Sequence, residues 1–255
     1  MFLAIDIGNT NITLGLFEGE TPGRRLRFAT NPVRTPDEYG LAMLDYFHSA
    51  GVVDEDIHAI AIGSVVPDIT APFANACLNY LNCQPFIADG MMKTGLRSKY
   101  DDPWQLGVDR IIDAAAAYIL YGGPLCVIDF GTATTFDAVS ADGCHLGGAI
   151  APGIDIAAEE LLRRMSKLSM ADHSRPVAAT EYNIRQCFQS GLLYGYTGLV
   201  EGLIARFHAE IGPGMKVVAT GGLADVIARE TTFVDIMAPW LMLDGLRILY
   251  HMNRI

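Results

Sequence analysis

Basic residues are scarce in this sequence. The 255 residues include 18 Lys and Arg against 29 Asp and Glu, which gives a net charge of −11 at pH 7. A protein whose main partner is nucleic acid needs a basic surface that neutralises backbone phosphates. The composition therefore argues against nucleic acid as the main partner. It remains compatible with a small anionic ligand bound by a few local cations or backbone N–H groups.

Long apolar runs and metal-binding cysteine patterns are also missing. No uncharged apolar run reaches the roughly 18 residues that a membrane span needs, and the N-terminal segment has no basic stretch typical of a signal peptide. The cysteines number five, an odd count, and no CxxC pair occurs. We therefore expect neither a disulfide framework nor a zinc site, and no membrane partner. A protein of the reduced cytoplasm is the expectation.

An internal repeat organises the chain. The segment IDIG at residues 5–8 matches IDFG at residues 128–131, an offset of 123 that is close to half of 255. In both segments an Asp ends an apolar strand, a turn of Gly, Thr or Asn follows, and the strand pattern resumes. The repeat predicts two similar α/β halves, residues 1–121 and 122–255, each opening with a β-hairpin and facing a central cleft.

Hydrophobic periodicity and turn signals predict the other elements. Further strands are expected at residues 25–30, 58–66, 85–88, 145–152, 215–222 and 232–237. Helices are expected at residues 37–49, 67–81, 103–121, 154–168, 182–208 and 241–253.

The first repeat, DIGNTN at residues 6–11, has the chemistry of a phosphate-binding turn. A glycine turn brings backbone N–H groups close to a ligand, and Asn and Thr add donors. The carboxylate of Asp6 is suited to orient a hydrated Mg²⁺ on phosphates. An ordinary hairpin with Asn in its turn is the alternative. The second turn at half-chain distance favours the phosphate site.

The second repeat, DFGTATT at residues 129–135, is rich in hydroxyl groups. Thr132 is suited to donate to a phosphate oxygen, and Asp129 to bind a cation. The alternative is a strand whose threonines face solvent. Neither a GxxxxGK[ST] loop nor a GxGxxG motif after the first strand is present, so the predicted phosphate site is built on hairpins.

A candidate general base lies at Asp109, near the start of an otherwise apolar helix. A base that accepts the proton of an alcohol needs a carboxylate or an imidazole in the cleft. Arg110 beside it is suited to bind a carboxylate through two parallel hydrogen bonds. The alternative is a helix-capping Asp followed by a solvated Arg.

These motifs resemble those of a known family. DIGNTN, YDDP followed by GVDR, IDFGTATTFD, GGAIAPGI, FQSG and TGGLA occur in the order and approximate spacing found in type III pantothenate kinases, across essentially the whole chain. The resemblance implies an RNase H-like, actin-like fold of the acetate and sugar kinase/Hsp70/actin class. It also implies ATP-dependent phosphorylation of pantothenate to 4′-phosphopantothenate, the first step of coenzyme A biosynthesis.

The resemblance also implies roles for individual residues. Asp109 would be the catalytic base, and Asp129 would bind a monovalent cation, K⁺ or NH₄⁺. ATP, with Mg²⁺ near Asp6, would be bound by Asp6, Ile7, Gly8, Asn9, Thr10, Asn11, Ile12, Thr13 and Thr132. Pantothenate would be bound by Tyr100, Gly107, Val108, Asp109 and Arg110. The family forms homodimers that share the pantothenate pocket.

One position departs from the family, and two other functions remain open. The family usually has a substrate-contacting Thr five residues before the Gln of its QSG motif, where this chain has Ile184 before Gln189. No substrate contact is therefore expected there. A phosphatase of the same superfold would keep the hairpins and activate water, and a non-catalytic accessory protein would keep the scaffold without turnover. Asp6, Asp109 and Asp129, all present, argue against the accessory reading.

Overall fold

A computed structural model describes residues 1–99, 106–165 and 174–254. The chain forms two compact units. Unit 1 consists of Met1–Leu96, Tyr100–Ala116 and Leu241–Ile255, and unit 2 of Arg97–Lys99 and Ala117–Trp240. The domain division at residues 121 and 122 stays a prediction. The compact units differ from it chiefly because the last helix belongs to unit 1.

The elements follow the predicted α/β order. The strands are β1 (Phe2–Ile7), β2 (Asn11–Glu18), β3 (Thr21–Ala29), β4 (Ala59–Ser64), β5 (Phe86–Ile87), β6 (Arg97–Ser98), β7 (Leu125–Phe130), β8 (Ala133–Val139), β9 (Cys144–Pro152), β10 (Lys216–Thr220) and β11 (Ile236–Met237). The helices are α1 (Pro36–Ser49), α2 (Pro67–Leu81), α3 (Val108–Tyr121), α4 (Ile154–Arg164), α5 (Ile184–Ile211), α6 (Ala224–Ala228) and α7 (Leu241–Asn253).

Unit 1 is built on a five-stranded sheet with the order β3-β2-β1-β4-β5. β1 pairs antiparallel with β2 and parallel with β4. α1 begins where the sequence predicts, because Thr35 and Glu38 form a reciprocal capping box and Pro36 follows the cap. α7 packs on β1 and β4, and this packing places the end of the chain in unit 1.

Unit 2 repeats this topology. Its sheet has the order β11-β10-β7-β8-β9-β6, so β9-β8-β7-β10-β11 corresponds to β3-β2-β1-β4-β5. β1 and β7 also share one burial pattern, in which the Asp is the single half-buried residue. The predicted duplication of α/β halves, each opening with a β-hairpin, is confirmed.

Several predicted boundaries are wrong. α3 begins at Val108 rather than residue 103, although residues 103–105 lie outside the described part of the chain. The strand predicted at residues 232–237 is reduced to Ile236–Met237. Just before it, Asp235 bonds to Val217 twice: its N–H donates to the Val217 carbonyl at 3.0 Å, and its carboxylate accepts from the Val217 N–H at 2.8 Å, in place of a second backbone bond. The short elements β6 and α6 were not predicted. Within the described ranges, no helix combines the length and apolar character that a membrane crossing requires.

Candidate functional site

The first turn, defined here as residues 8–10, joins β1 to β2. The Gly8 N–H donates to the Asn11 carbonyl at 3.0 Å and closes the hairpin. A Cβ on Gly8 would lie 3.2 Å from that carbonyl oxygen, so glycine relieves a tight approach. Asn9 and Thr10 are exposed at the tip. The turn therefore presents polar groups to solvent, as a ligand-binding turn requires.

The flanking residues of this hairpin contribute in different ways. Asp6 is half-buried and lies opposite Thr13 on β2 and Gly63 on β4. Ile7 and Ile12 are fully buried in the core of unit 1. Of the residues predicted to bind ATP, these two isoleucines therefore offer only backbone groups.

The second turn, residues 131–132, joins β7 to β8. The Gly131 N–H donates to the Ala133 carbonyl at 3.1 Å, and the Gly153 N–H donates to the Thr132 carbonyl at 3.0 Å. The Thr132 side chain is exposed, whereas Thr134 is 1% exposed. Thr132 is thus the hydroxyl of this pair that can reach a ligand.

Two glycines from other parts of unit 2 pack against the second hairpin, Gly153 at the turn and Gly221 at the end of β7. A Cβ on Gly153 would lie 2.3 Å from the Thr132 carbonyl oxygen. Gly221 has φ +93°, and a Cβ there would lie 2.3 Å from Asp129 Oδ1. Real Cβ contacts do not occur at such distances, so only glycine fits at either position. Gly221 belongs to the TGGLA motif identified in the sequence, but the motif did not predict its contact with Asp129.

Buried hydroxyl groups connect α5 to the second hairpin. The Tyr196 hydroxyl donates to the Pro152 carbonyl at 3.1 Å and also shares a short hydrogen bond with the Thr134 hydroxyl. Burial raises the pKa of Tyr196. Because its ring lies in the core, this tyrosine connects α5 to β8 and to the end of β9.

Asp109 lies in the first turn of α3. Its Oδ1 accepts a hydrogen bond from the Arg110 N–H at 2.8 Å. A Cβ on Gly107 would lie 2.5 Å from the same oxygen, so the glycine makes room for the carboxylate. Gly107, Val108, Asp109 and Arg110 are all partly exposed. The carboxylate caps the helix locally, as the alternative interpretation expected, and is also partly accessible.

The described residues place the predicted site residues in two groups. Unit 1 holds the first hairpin and the segment at residues 107–110, and unit 2 holds Asp129 and Thr132. Tyr100 lies outside the described residues.

The carboxylates of the predicted site suit a hard cation that takes its other oxygen ligands from a bound phosphate. Within residues 1–99, 106–165 and 174–254, no group of three His, Cys, Asp or Glu side chains could hold a metal ion. Mg²⁺ in nucleotide sites is commonly held by one or two carboxylates together with phosphate oxygens. Asp6, the next-to-last residue of β1, fits that pattern.

Comparison with known proteins agrees with this geometry. The family model for type III pantothenate kinase matches residues 2–206. A type III pantothenate kinase of Roseiflexus sp. (strain RS-1) is 45% identical over 254 residues, which cover 100% of both chains. The chain belongs to the type III pantothenate kinase family. The resemblance seen in the motifs is thus confirmed over the full length.

Solved structures agree on the fold. A Campylobacter jejuni protein described as a Baf family transcriptional activator superposes with a TM-score of 0.63 at 19% identity, over 98% of each chain. A Sinorhizobium meliloti protein described as a 2-dehydro-3-deoxygalactonokinase superposes with a TM-score of 0.62 at 14% identity, over 100% of this chain and 97% of the other. The predicted fold class, that of the acetate and sugar kinases, Hsp70 and actin, is confirmed.

The family's QSG motif has a structural role in this chain. Gln189 Nε2 donates to the Ser174 carbonyl at 2.9 Å and contacts its hydroxyl at 2.6 Å. Ser190 Oγ donates to the Ala179 carbonyl at 2.7 Å. The motif therefore holds the segment at residues 174–179 against α5.

Ile184, where the family usually has Thr, is the first residue of α5. It follows the N-cap Asn183, whose side chain accepts a hydrogen bond from the Gln186 N–H at 2.9 Å. Its side chain is 60% exposed. An exposed isoleucine at this position is accessible to a ligand or to a second subunit.

Proposed function

We propose that this protein transfers the γ-phosphoryl group of ATP to pantothenate and forms 4′-phosphopantothenate, the first step of coenzyme A biosynthesis, in the cytoplasm. Full-length membership in the type III pantothenate kinase family carries the proposal. The duplicated hairpins support it, because Asp6 and Asp129 occupy the same position in the two halves.

ATP would bind through its phosphates at the hairpins. The first hairpin, from Asp6 to Thr13, offers backbone N–H groups and the exposed side chains of its turn. Thr132 offers an exposed hydroxyl on the second hairpin. Mg²⁺, when bound near Asp6, supplies positive charge that neutralises the phosphates during transfer.

Asp109 would accept the proton of the pantothenate hydroxyl. The hydroxyl oxygen would attack the γ-phosphorus of ATP, and ADP would leave. Phosphoryl transfer depends mainly on positioning and charge stabilisation, with a carboxylate that receives the alcohol proton. Gly107 leaves space around the Asp109 carboxylate, and Arg110 adds a local positive charge. With Tyr100 and Val108, these residues would form the pantothenate pocket.

Asp129 would bind a monovalent cation, K⁺ or NH₄⁺. Asp129 is the next-to-last residue of β7, two residues before the second turn, and Gly221 packs against its carboxylate. Such a cation would offset repulsion between the carboxylate and the phosphate oxygens.

We further propose a homodimer with a shared pantothenate pocket, formed through α5. Small residues recur along one face of this helix at spacings of three or four: Gly191, Gly195, Gly198, Gly202, Ala205 and Ala209. A Cβ added to Gly191, Gly195 or Gly198 would meet nothing within 4 Å. Glycine inside a helix costs roughly 0.5–1 kcal/mol relative to alanine. Among the described residues, nothing within 4 Å requires those three glycines, which suits a face on which a second copy packs closely.

A coupled ADP-release assay with and without pantothenate tests the function. We expect ADP formation that depends on pantothenate, with one ADP per phosphopantothenate. Phosphate release from ATP without pantothenate would favour a phosphatase. Tight pantothenate binding without turnover would favour an accessory protein.

A further inference from the structure

We infer that Thr30 is a positioning residue for the first turn. Thr30 directly follows β3, and its Oγ1 donates a hydrogen bond to the Gly8 carbonyl at 2.6 Å. Its backbone N–H donates to the Thr10 carbonyl at 3.0 Å. One residue, 20 or more positions away in the chain, therefore holds two carbonyls of a three-residue turn. This inference rests on the proposed function, in which the first turn binds ATP phosphates.

The two hydrogen bonds fix the direction of two peptide groups. A trans peptide is planar, and its C=O and N–H point in opposite directions. With the Gly8 carbonyl held by Thr30, the Asn9 N–H must point away from Thr30. The same reasoning applies to the Thr10 carbonyl and the Asn11 N–H. Thr30 thus sets the orientation of backbone donors in the turn before any ligand arrives, and such preorganisation strengthens anion binding.

Thr30 is itself anchored to the core. The carbonyl of its neighbour Asn31 accepts a hydrogen bond from the Tyr39 hydroxyl at 2.7 Å. Tyr39 lies on α1, is 0% exposed and packs against Phe73 with a ring-centroid distance of 4.8 Å. The first turn is therefore connected to the core of unit 1 through residues 30 and 31.

The second half lacks the hydroxyl contact. At the repeat offset of 123, the counterpart of Thr30 is Gly153. Gly153 keeps the backbone bond, since its N–H donates to the Thr132 carbonyl. A side chain there would collide with that carbonyl oxygen at 2.3 Å. In the described part of the chain, the first turn has this hydroxyl contact and the second has no counterpart of it at Gly153, which suits a first turn that holds a polyphosphate.

The test compares Thr30→Val, which keeps the shape and removes the hydroxyl, with Thr30→Ser, which restores a hydroxyl. One neutral hydrogen bond corresponds to roughly a two- to tenfold change in affinity. We expect Thr30→Val to raise the KM for ATP, and the Kd of the Mg²⁺ complex of a non-hydrolysable ATP analogue, by that factor. The KM for pantothenate should stay within twofold. Thr30→Ser should restore most of the ATP affinity.

Thr197→Val is the matched control. Its hydroxyl also donates to a backbone carbonyl, that of Leu193 at 2.9 Å, but on α5. It should lower thermal stability without a selective change in the KM for ATP. If Thr30→Val does not fold, Thr30→Ala supplies the same comparison.

The results distinguish a failure of the proposed role of Thr30 from a failure of the proposed kinase function. If wild type forms ADP with pantothenate but Thr30→Val binds the analogue as tightly as wild type, only the role of Thr30 is wrong. An equal rise in both KM values would also overturn it, because a general structural defect would explain that result. If wild type itself neither binds the analogue nor forms ADP, the proposed function fails, and the role of Thr30 fails with it.

Discussion

Gly221 supports the carboxylate of Asp129 directly. A Cβ on Gly221 would lie 2.3 Å from Asp129 Oδ1 and 2.6 Å from the Phe130 nitrogen. Gly221 also adopts φ +93°, a conformation that residues with a side chain rarely tolerate. The strand end that carries the proposed cation ligand is therefore fixed by a glycine 92 residues further along the chain.

Gly221→Ala should displace Asp129 and weaken activation by K⁺. We expect a loss of stability of at least about 1–2 kcal/mol from the backbone conformation alone. In the proposed kinase, activity in saturating K⁺ should fall at least tenfold. Gly212→Ala is the control, since Gly212 has φ +117° and its Cβ would meet nothing within 4 Å. The measurement is the activity of each variant at increasing K⁺ concentrations, with Na⁺ replacing K⁺ so that the total salt concentration stays constant. Equal loss in both variants would mean that strain, rather than Asp129, is responsible.

Asp109→Asn should abolish most turnover without disturbing α3. The asparagine oxygen can still accept the Arg110 N–H bond that Asp109 accepts at 2.8 Å, so the helix start is preserved. Loss of a general base typically reduces the rate by ~10²–10⁴-fold. Single-turnover kinetics with circular dichroism as the folding control measure this. Turnover within threefold of wild type would remove Asp109 from the role of base.

The site residues divide into those that the sequence could predict and those that it could not. Asp6 and Asp129 are predictable because each is the polar residue in an apolar strand that ends at a glycine turn. Thr30 is not, because a threonine at a strand end is ordinary β-propensity. Its role arises from a tertiary hydrogen bond to Gly8.

The contact between Gly221 and Asp129 was also not predictable from the sequence. Two adjacent glycines after a strand predict a turn, but they do not indicate which distant residue packs against that turn. More of the fold than of the site was predictable, because the strand-turn-strand pattern occurs twice in the chain and each copy supports the interpretation of the other. The placement of α7 in unit 1 depends on packing against β1 and β4, which periodicity along the chain does not encode.

Gly198→Leu should disrupt the proposed dimer. The position is exposed and open on α5, so a larger residue should be tolerated in the protomer and should favour the helix. Light scattering should give twice the protomer mass of 27.6 kDa for wild type and the protomer mass for the variant. Asn75→Leu, at an exposed position on α2, is the control. A wild-type particle of protomer mass at micromolar concentration would contradict the dimer.

Two tyrosines on α1 should respond oppositely to removal of the hydroxyl. The Tyr39 hydroxyl donates to the Asn31 carbonyl at 2.7 Å. The Tyr46 hydroxyl is buried and has no hydrogen-bond partner among the described residues. Tyr39→Phe should destabilise the protein by about 0.5–1.5 kcal/mol, whereas Tyr46→Phe should be neutral or stabilising. Urea denaturation of both variants measures the difference, and equal destabilisation would show that Tyr46 has a partner.

The same tyrosine predicts a pH effect. Burial raises the pKa of Tyr46 to about 12, so the folded state favours the neutral phenol. Stability from this group is therefore present below pH 10 and is lost as the pH rises toward 12. The difference in unfolding free energy between wild type and Tyr46→Phe should accordingly change across this range. A constant difference would contradict the shift.

Ile184→Thr tests the position where the chain departs from its family. Ile184 is 60% exposed at the start of α5, so the substitution should leave the fold intact. If the position faces pantothenate, the new hydroxyl adds one neutral hydrogen bond. That bond is worth roughly 0.5–1.5 kcal/mol, or a few- to tenfold in affinity. The KM for pantothenate should then fall while kcat stays nearly unchanged, because the added contact is present in both the ground state and the transition state.

Ile184→Val, which shortens the side chain without adding a hydroxyl, should leave both constants close to wild type. Turnover created by Ile184→Thr where wild type has none would favour the accessory protein. No change in either constant would mean that residue 184 does not face the substrate.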